Sequence, residues 1–211
     1  MKGATSTKPR TRRRTWRQDP EGRRARILNA GAREFARRGF RDARMDRVAK
    51  AAGVAEGTLY HQFGSKQGLL VAVGDQYGRG LVEAAFGDLE QRIDPREMGT
   101  MVRNIFAYVR NSGGPLAAFL LASEPAEGAP AQEANRAQMI AAIEVQLEDG
   151  VRRGLITPMN TRVAAVVQYG LVESALRECF LRRKGADEAL YIQEVTACLS
   201  AYLGYPLRQF D

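Results

Sequence analysis

The chain has 211 residues and a mass of 23.3 kDa, which corresponds to one compact core with a small appendage when a domain takes roughly 150 residues. Hydrophobic residues make up 45% and charged residues 27%, and no run approaches the ~20 apolar residues of a membrane helix, so an integral helical membrane protein is excluded. Two cysteines, Cys179 and Cys198, and one histidine, His61, are too few for a disulfide framework or a metal cluster, so no metal and no cofactor is expected.

The net charge of +8 is concentrated at one end. Residues 1–66 carry 18 Lys and Arg against 6 Asp and Glu, a net of +12, whereas residues 67–211 carry 14 against 18, a net of −4. Of the 32 basic residues 27 are Arg, but a compositional bias would spread them evenly rather than stop near Lys66. Such asymmetry is the footprint of a nucleic-acid-binding module joined to a module with another task.

Residues 1–20 hold seven basic residues, one acidic residue and two prolines, with little to bury, and read as a flexible basic arm. The arm lacks the apolar run of a signal peptide and the apolar face of a transit peptide, so a cytoplasmic location is expected. Ile27, Leu28, Gly31, Ala32, Phe35 and Ala36 then recur at helical spacing opposite a row of arginines, predicting a helix to about Arg38 that Gly39 stops. Met45, Val48, Ala49 and Ala52 mark a second short helix ended by Gly53, and Leu59, Tyr60 and Phe63 a third. That order is helix, turn, helix.

Ser65 is placed to cap a longer apolar-faced helix running towards Ile93 and Pro95. A helix near residues 97–111 follows, then a short apolar segment at 116–122 and a Pro/Gly/Ala-rich loop at 124–130. Residues 133–153, 161–183 and 187–202 are expected to be helical, with Asn160 capping the second of these. No strand pattern and no internal repeat occurs. The fold class is therefore all-α, with about nine helices, three of them in a basic head.

Within residues 24–73, Val48-Ala49, Ala52-Gly53-Val54, Gly57-Thr58-Leu59-Tyr60, Phe63 and Ser65-Lys66 fall at a spacing that closely resembles the DNA-binding domain of the TetR/AcrR family of transcriptional regulators. About a quarter of the chain carries the resemblance. Beyond Tyr77 only the helical layout and a Gly-Val-x-x-Gly-Leu-Ile turn at residues 150–156 are similar. The resemblance implies a three-helix helix-turn-helix domain at 21–66 and a larger helical domain at 67–211 for effector binding and dimerisation.

In a helix-turn-helix the second helix enters the major groove, so its inner side needs apolar anchors and its outer side must permit close approach. Val48, Ala52, Val54, Leu59 and Phe63 suit the first need and Gly57 the second. The resemblance further implies that Thr58, Tyr60, His61 and Lys66 contact DNA, mostly phosphates, with Gly57, Thr58 and Glu56 nearest the base edges. Lys66 opens a helix where the dipole disfavours a cation, so a phosphate partner is expected to account for it. Where relatives carry hydroxyls this chain has Ala43, Arg44 and Ala55. Arg44 is expected to reach a phosphate instead, Ala55 to leave the recognition helix short of a cap by about 1 kcal/mol, and Gly68 to weaken the next helix by about as much. Arg10, Arg12, Arg13, Arg14 and Arg17 in the arm are placed to add phosphate or minor-groove contacts, or to stay solvated.

A head of this kind reads a two-fold site only as a dimer. Val163, Val167, Gly170, Leu171, Ser174, Leu199 and Tyr202, in the last two helices, are the expected interface. Phe86, Met101, Ile105, Phe106, Phe119 and Met139 are the candidates for an effector pocket. Both cysteines are expected among apolar neighbours in helices, in structural rather than redox roles. No nucleophile elbow, phosphate loop or carboxylate pair is visible, so no enzyme is expected. The function this implies is a homodimeric repressor released from a palindromic DNA operator by a small-molecule effector. An activator, or an architectural DNA-binding protein without an effector, is the alternative.

Overall fold

The computed structural model describes residues 20–87, 97–112, 125–182 and 185–204, and all the regular structure among them is helical. The arm, the short segment at 116–122 with Phe119, and the stretch from Asp88 to Pro95 lie outside the described residues.

Helix α1 (Pro20–Asp42) opens on a proline, whose missing N–H is no loss in a first turn, and breaks at Gly39 with φ 70°, where the sequence pattern places its stop. Helix α2 (Met45–Ala52) ends in a left-handed Gly53, and the Val54 N–H reaches back to the Ala49 carbonyl, closing the turn that sets the angle to α3 (Glu56–Phe63). Helix α4 (Lys66–Phe86) begins with the Ser65 hydroxyl accepting from the Gly68 N–H at 3.0 Å, the cap its sequence predicts.

These four elements close around one core. Ile27, Leu28 and Phe35 of α1 meet Val48 and Ala49 of α2, Leu59 of α3, and Leu69, Leu70 and Val73 of α4. Leu59 is wholly buried, so the short α3 is held by packing rather than by its own propensity.

A second core is built by the remaining helices: α5 (Met98–Asn111), α6 (Pro125–Arg152), α7 (Thr161–Arg177) and α8 (Glu188–Tyr202). Asn160 caps α7 through its side-chain oxygen, and Asp187 caps α8 in the same way. Helix α7 runs on into a π-helical turn, Glu178–Arg182, which lets Phe180 meet Phe106 with ring centroids 5.9 Å apart. Helix α4 alone contributes to both cores, with Leu69–Val73 in the first and Tyr77–Phe86 in the second.

One expectation is corrected here. The Pro/Gly/Ala-rich stretch read as a loop is helical from Pro125 onwards. A proline is favourable at a first helical position, and the alanines of this stretch are strong helix formers.

Candidate DNA-binding surface and ligand cavity

Helix α3 buries Leu59 and turns its other side outwards. Glu56, Gly57, Tyr60 and His61 are exposed, Tyr60 to 48%, and Thr58 is half-buried. Nothing lies within 4 Å of the place a Gly57 side chain would occupy, so the backbone there is open to close approach. Ala55 makes no side-chain cap, as expected, and the leading N–H groups of α3 are left for an anion. Glu56 stands at the N-terminal end of α3, where the helix dipole suits a carboxylate, which gives it a local reason to be there.

Two cationic residues do more than the sequence suggests. Arg44 forms a two-pronged ion pair with Asp46, at 2.9 and 3.1 Å, while remaining exposed to solvent. Desolvation raises the Asp46 pKa, but the Arg44 hydrogen bond and charge, aided by Arg47, outweigh it and hold the carboxyl below its ordinary value. Lys66 donates to the carbonyls of Arg41 (3.0 Å) and Ala43 (3.2 Å) and lies 4.7 Å from the centre of the Phe40 ring. Its place at a helix start is therefore accounted for by partial negative charges on the turn after α1, correcting the argument that a phosphate was needed.

Glu34, which the sequence does not single out, clamps α1 to the turn before α2. Its carboxylate faces Arg38 at 3.4 Å and Arg47 at 4.0 Å, and accepts the Arg44 backbone N–H at 3.3 Å. Gly68 is also reinterpreted. A Cβ there would collide with the Phe63 carbonyl, so its glycine is what lets α4 start against the end of α3.

A cavity of about 540 Å³, including the solvent it opens onto, lies among α4, α5, α6 and α7. Phe86, Met101, Ile105 and Met139 line it, as expected from their composition. Phe106 does not: it is fully buried against Phe180 and belongs to the core, a correction that turns on which face of α5 it occupies. Polar groups in the wall are Tyr77, Gln168, Tyr169 and Glu173, none of which the apolar pattern reveals. Burial, with the nearby Glu173 charge adding to it, pushes the Tyr169 hydroxyl up to about 12. A second recess at the junction of the two cores is lined by Leu28, Asn29 and Ala32 of α1 together with Gln76, Tyr77 and Tyr108.

On the outer side of α7 and α8, Val163, Val166, Val167, Leu190 and Tyr202 are exposed large apolar residues. Ser174 is exposed, while Gly170 and Leu171 are partly so. Leu199 is 1% exposed and packs into its own chain's core, so it is corrected out of any interface. Cys179 is buried as expected, whereas Cys198 is exposed on α8, contrary to expectation.

Residues 27–73 match the family model of bacterial regulatory proteins of the tetR family. The transcriptional repressor SCO4008 of Streptomyces coelicolor is 31% identical over 145 residues, which are 66% of this chain and 70% of that protein. The chain belongs to the TetR family. The regulatory protein RaaS of Mycobacterium tuberculosis is 32% identical over 134 residues, 64% of this chain, and the match spans 59% of that protein's length. Among solved structures, the transcriptional regulator FadR of Bacillus subtilis in complex with stearoyl-CoA superimposes with a TM-score of 0.71 at 19% identity, covering 83% of this chain and 96% of that one. At that identity the likeness is one of fold.

As a member of the TetR family the protein carries its family signature within the first core and the start of α4. No described helix is long and apolar enough to cross a membrane.

Proposed function

We propose that the protein is a homodimeric, cytoplasmic repressor whose paired heads bind a two-fold DNA operator and release it when a small molecule enters the cavity among α4–α7. It acts without catalysis or cofactor. Residues 21–66 form the DNA-reading part and residues 67–211 the effector-binding and dimerising part. Gly57, Thr58, Tyr60 and His61 face the groove, Arg44 and the arm arginines supply phosphate charge, and Lys66 supports the surface from behind.

The observation that carries this reading is the position of Tyr77 on α4. Its side chain lines both the cavity and the recess against α1. The Tyr108 hydroxyl donates to the Tyr77 carbonyl at 3.3 Å, with the two rings 5.5 Å apart, and Gln76, the residue before Tyr77 on α4, donates to the Asn29 side chain of α1 at 3.3 Å. An occupant that shifts α4 thus acts on α1 through direct contacts, and a coupling of about 1–3 kcal/mol suffices for release. Dimerisation through α7 and α8 is supported by their exposed Val163, Val167 and Tyr202.

The test is binding of the purified full chain to DNA flanking its own gene, with competitor DNA and a salt series. A protected, two-fold symmetric site is expected, with affinity that falls when an effector binds. Equal affinity with and without a bound effector overturns the release mechanism. Binding without a preferred site favours the architectural reading, since a specific regulator separates its site from other DNA by about 10³-fold or more.

A further inference from the structure

The wall of the cavity is apolar except at a few points, and one of these has no partner among the described residues. Gln168 lies on α7 beside the fully buried Ala164 and Ala165, is itself only 4% exposed, and lines the cavity. Its side-chain nitrogen Nε2 is buried without a hydrogen-bond partner. An amide N–H so placed has no acceptor among the described residues, and packing alone would be served by a leucine or methionine of similar volume.

The other polar groups around the space are already engaged or stay neutral. Glu173 is paired with Arg177 at 2.9 Å, Arg136 stands over the Tyr169 ring at 5.9 Å, and the Tyr77 carbonyl receives the Tyr108 hydroxyl. The carboxylate of Glu173 is the formal charge among the lining residues, and Arg177 offsets it, so the wall offers no unpaired positive charge to draw an anionic guest.

We infer that the cavity takes a neutral, predominantly apolar molecule bearing a carbonyl oxygen, and that this oxygen accepts a hydrogen bond from Gln168 Nε2. The inference rests on the effector reading above and specifies its ligand class. The lining supports it, since small-molecule sites are lined mostly by apolar side chains with a few placed polar groups. Gln168 then sets which apolar molecules are accepted, because a guest without an acceptor leaves the amide unpaired.

Three fluorescent probes with one ring system separate the possibilities: 6-propionyl-2-(dimethylamino)naphthalene, 2-(dimethylamino)naphthalene without the carbonyl, and the anionic 6-(dimethylamino)-2-naphthoate. On the full-length chain the ketone is expected to bind about three- to tenfold more tightly than the probe without a carbonyl, and more tightly than the naphthoate. In Gln168→Leu that advantage is expected to disappear and the ketone's emission to shift to the blue as its carbonyl loses the hydrogen bond. The same variant without any probe is expected to melt at a higher temperature, which distinguishes removal of an unpaired amide from damage to the core. Gln168→Met, closer in shape, is expected to behave alike.

Equal binding of the three probes, preference for the naphthoate, no binding of any probe, or a ketone advantage that survives in both variants would each overturn the inference. The operator affinity of the unmodified chain is measured in parallel. Its absence tells against the repressor reading and not against the chemistry of the cavity.

Discussion

Lys66 shows how a residue on a DNA-binding head can serve it from within. Its ammonium ties the start of α4 to the carbonyls of Arg41 and Ala43. Lys66→Met keeps most of the stem and removes the donors, so the chain is expected to lose about 1–2 kcal/mol of stability in urea denaturation. Operator affinity is expected to fall while the slope of log affinity against log salt stays unchanged. A slope reduced by about one unit would instead assign Lys66 to a phosphate.

Tyr169 gives a second prediction at this scale. Burial first, then the Glu173 charge, raises its folded-state pKa to about 12 from an ordinary value of 10.0. The folded state therefore holds this proton more tightly than the unfolded chain does, and the stability it contributes is complete below about pH 10 and lost as pH rises towards 12. Thermal melts between pH 8 and 11.5 are expected to show this decline, and Tyr169→Phe to make it shallower. An unchanged alkaline profile in that variant would remove Tyr169 as a cause.

At the scale of elements, the head depends on close approaches that leave no room for substitution. In an unconstrained helix interior Gly→Ala is favourable by about 1 kcal/mol. At position 68 the opposite is expected, because the added Cβ would strike the Phe63 carbonyl and push α4 away from α3. Gly68→Ala should lower the urea midpoint and weaken operator binding together, and a stabilised variant with full affinity would refute the packing argument.

Helix α3 illustrates what was legible at this scale. Its anchor Leu59, its open Gly57 and its uncapped Ala55 were all evident from local pattern, because an apolar period, a missing side chain and a missing hydroxyl are properties of the sequence itself. The cap of α4 by Ser65 was legible for the same reason. The helix at 125–130 was not, since proline, glycine and alanine in one stretch satisfy both the loop pattern and a proline-led helix start.

For the whole molecule, the proposed pairing rests on the outer side of α7 and α8. Val167 is 45% exposed there although it is apolar. Val167→Glu is expected to leave the monomer folded, to shift sedimentation from dimer to monomer, and to weaken operator binding roughly 10²-fold by removing the second head's effective concentration. A Val167→Glu dimer of normal affinity would place the interface elsewhere.

The sequence by itself determined the all-helical class, the basic head, the helix-turn-helix with its anchors, and the TetR-family resemblance. All of these are written in short-range periodicity, in glycine turns and in the distribution of charge along the chain. Only the tertiary structure decided which apolar residues face a cavity and which fill the core, as Met101 and Phe106 show on one helix. It also decided that Lys66 meets carbonyls more than 20 residues away, that Glu34 clamps two elements, and that the Gln168 amide nitrogen is buried without a partner among the described residues. Those facts depend on what distant segments bring to the same place, and a one-dimensional pattern carries the demand for burial or pairing but not the identity of the group that meets it.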